Sequence, residues 1–340
     1  MLNILDRLPD GFLDTPAQRL HERLPGPTLI HLPGRRAEPL FVSILLHGNE
    51  DTGMQAMRQL LAQYRDKPLP RSLSLFVGNV AAARVGLRRL DGQPDYNRVW
   101  PGCVPQGWPE ERLMAEVTET MRARGVFASI DLHNNTGLNP HYACIDRLNL
   151  PTLRLATLFS RIVVQFLRPL GVQSMAFAEF CPAVTVECGK TGDHSATAHA
   201  AAFVEAALRL DHFPTHPLAR HDIDLYRAVA IVNVAETARI AFGDGAAGAK
   251  ADVMFDAELD RFNFTDLPAA TCLGRARPHR PLPLQAINDD GQDIAAHYFA
   301  VDDTGLLLTR RPLMPAMLTR DAAIIRQDCL CYLMERLPWV

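Results

Sequence analysis

The sequence contains no run of about 18 apolar residues, so no membrane-spanning helix is expected. Its amino terminus, MLNILDRLPDGFLD, has neither a basic start nor an apolar stretch long enough for a signal peptide, and none is expected. Cysteine is sparse and unpatterned. Cys103, Cys144, Cys181, Cys188, Cys272, Cys329 and Cys331 form no CxxC pair and no regular framework. Such scattered thiols in apolar contexts fit a reduced, cytoplasmic protein rather than a disulfide scaffold. Charge of one sign is also missing. The net charge is −3, so nucleic acid and anionic membrane surfaces are not expected as partners. Internal repeats and low-complexity tracts are absent as well.

What is present is an ordinary globular balance, with 48% hydrophobic and 21% charged residues. A chain of 340 residues with that balance has the length of roughly two domains and can bury a large core unaided. Residues 27–32 (PTLIHL) and 39–46 (PLFVSILL) read as strands on either side of the turn-rich PGRRAE segment. The second is continuously apolar, as a strand covered on both faces should be. Met54, Met57, Leu60 and Leu61 mark one side of a following helix, and residues 73–80 (LSLFVGNV) a further buried strand. Pro109, Glu110 and Glu111 open a helix that Gly125 stops. Residues 126–132 (VFASIDL), 141–145 (HYACI) and 183–188 (AVTVEC) read as strands, and 152–168 and 194–210 as helices. The alternation predicts an α/β domain with a mixed, largely parallel central sheet flanked by helices. A His- and Pro-rich stretch at 211–222 suggests a boundary, placing a catalytic domain at 1–218 and a smaller β-rich domain at 219–340. The tail at 319–336 reads equally as helix or strand.

Residues 47–50, His-Gly-Asn-Glu, directly follow the strand PLFVSILL. Open α/β sheets bind ligands at the carboxyl ends of their strands, and Gly48 permits the sharp turn that brings His47 and Glu50 to one ion. A catalytic zinc takes three N/O ligands and keeps an open position for water. His133, ending VFASIDL, is the expected third ligand, with Asp131 either orienting a histidine ring or serving a purely structural role. His141 and His194 compete as ligands, although neither immediately follows an apolar strand. Glu187, in TVECG, ends a third core strand, where a carboxylate must face a ligand, a cation or solvent. It reads as the base that hydrolysis at a metal requires, or as half of a salt bridge. Arg98 and Asn97 lie in a loop (DYNR) that offers donors for a carboxylate or an oxyanion. Arg84, Arg88 and Arg89 crowd the preceding loop, where solvated charge is the default reading for most of them.

Taken in order, HGNE (47–50), GNVAAARVGLRRLD (78–91), DYNR (95–98), DLHNNTG (131–137) and TVECG (185–189) resemble the succinylglutamate desuccinylase/aspartoacylase family. That family has a zinc carboxypeptidase-like fold, and the resemblance runs from about residue 28 to 210. It implies one zinc ion per subunit, held by His47, Glu50 and His133, with Glu187 as general base and acid. It further implies that Asn97 and Arg98 grip a substrate carboxylate and that Arg88 polarises the scissile carbonyl. Two extra residues before DYNR leave Arg89 able to take the place of Arg88. Asn134, directly after His133, is placed with the substrate-binding residues. Relatives carry Tyr and Arg side chains before the base-bearing strand, whereas QSMAFAEFCPAVTVE here contains neither. The implied carboxyl-terminal β-rich domain borders the active site.

The reaction expected is hydrolysis of the amide bond of a small N-acyl amino acid or related amide. The partner expected is a small molecule bearing a carboxylate, and a homodimer is left open. A zinc carboxypeptidase acting on peptides, or a metal-binding module without catalysis, stand as the alternatives.

Overall fold

A computed structural model describes residues 2–243 and 250–338; residues 244–249 and 339–340 of the expected carboxyl-terminal domain lie outside them. The chain divides into two compact units. One comprises Met1–Asn134 and His141–Leu225, the other Asn135–Pro140 and Tyr226–Val340.

The first unit runs β1 (Asn3–Leu5), β2 (Thr28–Leu32), β3 (Gly34–Ile44), α1 (Thr52–Ala62), β4 (Leu69–Val77), α2 (Val80–Val85) and α3 (Pro109–Ala123). It continues with β5 (Ala128–His133), β6 (Tyr142–Ile145), α4 (Leu150–Phe159), β7 (Ile162–Gln165), α5 (Gln173–Ala178), β8 (Ala183–Glu187) and α6 (His194–Arg209). Its strands lie in the order β1-β2-β4-β3-β5-β8-β6-β7. The central four, β4, β3, β5 and β8, are parallel, and antiparallel pairing enters at β2–β4 and β6–β8. The expected mixed, largely parallel α/β sheet is what forms.

The apolar run of β3 explains its central place. Leu40, Phe41, Val42 and Ile44 are all fully buried, since sheet neighbours flank the strand and helices cover its faces. Helix α1 buries Met54, Met57, Leu60 and Leu61 and packs with α6. On the same sheet, Phe177 of α5 stacks on Phe41 at 4.3 Å between ring centroids. Burying an aromatic side chain of this size contributes about 1.5–3 kcal/mol.

Two local expectations are corrected. The helix expected at 152–168 ends at Phe159, and Ile162–Gln165 is instead a strand parallel to β6. Ile162, Val163 and Phe166 fit a helical period, but two adjacent valines buried together suit a strand covered on both faces. Ser160 makes the break. Its backbone is extended, and its Oγ accepts from the Ile162 amide at 3.0 Å and donates to the His141 carbonyl at 2.8 Å. The PGRRAE segment, expected as a turn, begins β3, pairing Gly34 with Leu69 and Arg36 with Arg71 before a bulge.

The second unit runs β9 (Asp224–Val234), β10 (Ile240–Phe242), β11 (Val253–Phe255), β12 (Cys272–Ala276), β13 (Leu284–Ile287), α7 (Ala295–Tyr298) and β14 (Phe299–Val301). It ends with β15 (Leu306–Thr309), β16 (Met314–Ala316), α8 (Ala322–Gln327) and β17 (Cys331–Arg336). Strand β9 alternates buried and half-buried residues and pairs antiparallel with β13 and β17. A separate sheet has the order β10-β11-β12-β15-β14. Val232, Phe255, Leu284, Leu307 and Leu333, from strands of both groups, are among the buried residues of this unit's core. The tail that sequence left open contains both a short helix and a strand.

Candidate active site

The three strands whose ends carry chemistry are adjacent and parallel, β3-β5-β8, so their carboxyl termini open at one edge of the sheet. His133 and Glu187 are the last residues of β5 and β8 and are direct register partners. After β3 the chain bends through Leu45, in the left-handed region at φ 54°, and delivers His47. Gly48 is required here for its lack of a side chain. A Cβ on it would lie 2.2 Å from the Ala83 backbone nitrogen and 2.7 Å from the Leu87 carbonyl oxygen. The Gly48 amide instead donates to the Arg88 carbonyl at 3.1 Å, docking the arginine-rich loop against HGNE.

His47, Glu50 and His133 are each buried, and their ligand atoms lie within 4.8 Å of one another. Among the described residues this is the one such group of three. Each histidine uses its two ring nitrogens differently. Nδ1 of His47 is 2.8 Å from Glu50 Oε1, and Nδ1 of His133 is 2.8 Å from Glu50 Oε2. The Nε2 atoms turn outward to separate aspartates, His47 to Asp95 at 2.9 Å and His133 to Asp131 at 2.7 Å. Asp131 is itself fully buried and accepts from Ser43 Oγ at 2.6 Å. A ring-orienting role was one of two readings left open for Asp131; the contact of Asp95 with His47 was not among the expectations. The signal available in sequence was an acid two residues before Asn97 in DYNR.

The charges explain one another. Burial and the Arg88 charge push His47 down, but Glu50 and Asp95 outweigh them and hold it above its ordinary value. Burial likewise opposes protonation of His133, and Asp131 with Glu50 raises it well above the usual range. Glu50 and Asp95 resist burial through the same contacts and are held low, Glu50 by the two histidines and Asp95 by His47, Arg88 and Arg98. Glu187 stands apart. Burial, with Glu50 pushing the same way, outweighs the nearby His133, His47 and Arg88 charges and raises its carboxyl to about 7. Its Oε2 is buried without a hydrogen-bond partner.

Arg88 donates to Asp95 Oδ2 through Nε and Nη2, at 3.2 and 2.9 Å, and its Nη1 lies 3.6 Å from Glu50 Oε1. Arg89 turns away to the Gln93 carbonyl at 2.6 Å, and Arg84 is exposed. Arg98 donates to the Asn97 carbonyl at 2.8 Å and contributes to the field at Asp95. Asn97 is buried. Its Nδ2 lies 3.3 Å from His133 Nε2 and 3.4 Å from Asp131 Oδ2, while its Oδ1 accepts from the Gln173 amide at 2.9 Å. Asn134 directs its side chain to Thr52 and to the Gly189 carbonyl. His141 stacks on His199 at 4.8 Å, outside the triad, and His194 is the exposed first residue of α6. The QSMAFA part of the QSMAFAEF stretch forms α5, where Gln173 reaches Ser129 Oγ at 2.6 Å.

The sequence matches the succinylglutamate desuccinylase/aspartoacylase catalytic domain over residues 39–211. No curated protein matches it. Among solved structures, succinylglutamate desuccinylase from Chromobacterium violaceum is 18% identical with a TM-score of 0.57, covering 90% of this chain and 86% of its own. Murine aminoacylase 3 is 14% identical at a TM-score of 0.52, covering 89% and 96%. A product-bound ectoine utilization protein from Ruegeria pomeroyi is 15% identical at 0.50, covering 91% and 84%. At these identities the likeness is one of fold.

Proposed function

The chain belongs to the succinylglutamate desuccinylase/aspartoacylase family, and on that premise we propose that it is a zinc-dependent hydrolase cleaving the amide bond of a small N-acyl amino acid. The observation that carries this reading is the meeting of two kinds of strand end at one sheet edge. A His-Glu-His group of metal-ligating type stands beside a buried carboxyl with an unbonded oxygen. Two imidazole nitrogens and one carboxylate oxygen are the donors that catalytic zinc takes, leaving a position open. The outward Nε2–aspartate contacts are the kind that fix ligating imidazoles in tautomer and direction. The residues present therefore fit one zinc ion, held by His47, Glu50 and His133.

Zinc bound there supplies Lewis-acid activation of water and of the scissile carbonyl. Glu187 takes the proton of the attacking water and returns it to the departing amine. Glu187 suits that role because it is buried at the end of β8 beside the triad, with one carboxyl oxygen committed to no partner. Arg88 supplies positive charge beside Glu50 for the developing oxyanion, and Arg98 receives the substrate carboxylate. Asn97 donates to Asp131, the carboxylate that accepts from the outer nitrogen of His133. The partner is a small molecule with a carboxylate, and the compartment is the cytoplasm. Mostly buried thiols support a reducing compartment, and no helix among the described residues is long and apolar enough to cross a membrane.

The test is zinc-dependent turnover of a panel of N-acyl amino acids set against short peptides. Release of the free amino acid, abolished by a chelator and restored by zinc, is the expected result. Cleavage of peptides in preference to acyl amino acids would assign a carboxypeptidase, and zinc uptake without turnover a binding module.

A further inference from the structure

We propose that Asn134 is a positioning residue that sets the metal triad against the base, not a contact for substrate. This deepens the reading above and rests on its metal triad. An asparagine side chain offers two N–H donors and one carbonyl acceptor, and here all are engaged within the protein. Nδ2 donates to Thr52 Oγ1 and to the Gly189 carbonyl, both at 2.8 Å. Oδ1 accepts from the Thr52 amide at 3.2 Å, and the Asn134 backbone amide donates to Glu50 Oε2 at 3.1 Å. The residue is only 6% exposed, so neither donor is left for a ligand.

Asn134 and its partners follow three different strands. Thr52 is two residues beyond Glu50 and is the first residue of α1, after the turn from β3. Asn134 follows His133 at the end of β5, and Gly189 is two residues beyond Glu187 at the end of β8. One amide therefore ties together the segments that carry a ligand, another ligand and the base. The Thr52 bonds hold the β3 turn so that Glu50 faces both histidines, and the Gly189 bond holds the β8 end at its distance from them. Gly189 lies in the left-handed region at φ 79°, so its carbonyl direction is set by a backbone conformation that other residues rarely adopt.

The experiment compares zinc affinity by chelator competition, the visible spectrum of the cobalt(II)-loaded protein, and kcat and KM for the parent, Asn134→Ala and Thr52→Val. Thr52→Val is the milder variant, because it removes one acceptor and keeps the side-chain volume. Outer contacts of metal ligands typically govern affinity by 10–100-fold, so Asn134→Ala is expected to bind zinc about tenfold or more weakly, and Thr52→Val to move the same way by less. Both should show an altered cobalt spectrum at temperatures where they are folded. Both should also lose kcat, with KM changed by less than about twofold. Parental zinc affinity and spectrum in a folded Asn134→Ala would overturn the inference alone. So would a raised KM at unchanged kcat, which returns Asn134 to the substrate. If the parent itself takes up no zinc, the metal reading falls and takes this inference with it.

Discussion

Glu50, in the turn after β3, and Glu187, at the end of the parallel strand β8, are both buried, and their surroundings send them in opposite directions. Glu50 accepts from two imidazoles and lies near Arg88, so its charge is compensated and its carboxyl is held low. Glu187 has one oxygen without a partner, and burial lifts it to about 7. The difference teaches that depth alone does not decide what a buried carboxylate can do. The number of donors aimed at it does. A carboxylate saturated with imidazoles suits a permanent charge, as a metal ligand needs. One left unsatisfied suits a proton that comes and goes.

The largest expected break in this comparison is Glu187→Gln. It keeps shape but removes the proton acceptor, and general-base loss typically costs about 10²–10⁴ in rate, read as kcat. Next is the pH dependence of the metal-free protein. The unfolded chain releases the Glu187 proton near 4.5, while the folded protein holds it to about 7. Between those values the folded state binds more protons, so this group's stabilisation is complete below about 4.5 and lost as pH rises through about 7. Denaturant unfolding should therefore show Glu187→Gln gaining on the parent between pH 5 and 8, by on the order of 3 kcal/mol. A constant difference across that range would show that Glu187 is ionised throughout. The smallest effect is expected at the outer partners. Asp95→Asn should weaken zinc binding by about 10–100-fold, measured by chelator competition, with Glu187 left in place. Unchanged affinity would mean that His47 needs no help from Asp95.

Much of this was legible in the sequence because the strand ends announce themselves. PLFVSILL and VFASIDL are apolar runs that stop at His-Gly-Asn-Glu and at a histidine, and AVTVE stops at a glutamate. The alternation of strand and helix predicted a largely parallel sheet, while the order β3-β5-β8, which makes those ends converge, comes from the structure. What sequence hid is side-chain commitment. Asn97 and Asn134 sit in the right motifs for ligand contact, but their amides point inward to His133, Gln173, Thr52 and Gly189, which no spacing reveals. Asp95 was passed over because its partner, His47, lies far away in sequence. The strand at Ile162–Gln165 was read as helix because a short apolar run fits either period, and tertiary pairing with β6 decides it.

The most direct test is the zinc content of Glu50→Gln and Glu187→Gln, purified side by side and loaded under identical conditions. The expected result is one zinc per chain in Glu187→Gln and a large loss in Glu50→Gln, since of the two only Glu50 belongs to the group that could hold a metal ion. Equal zinc in both variants, or loss in Glu187→Gln with retention in Glu50→Gln, would contradict the division of labour between the two carboxylates.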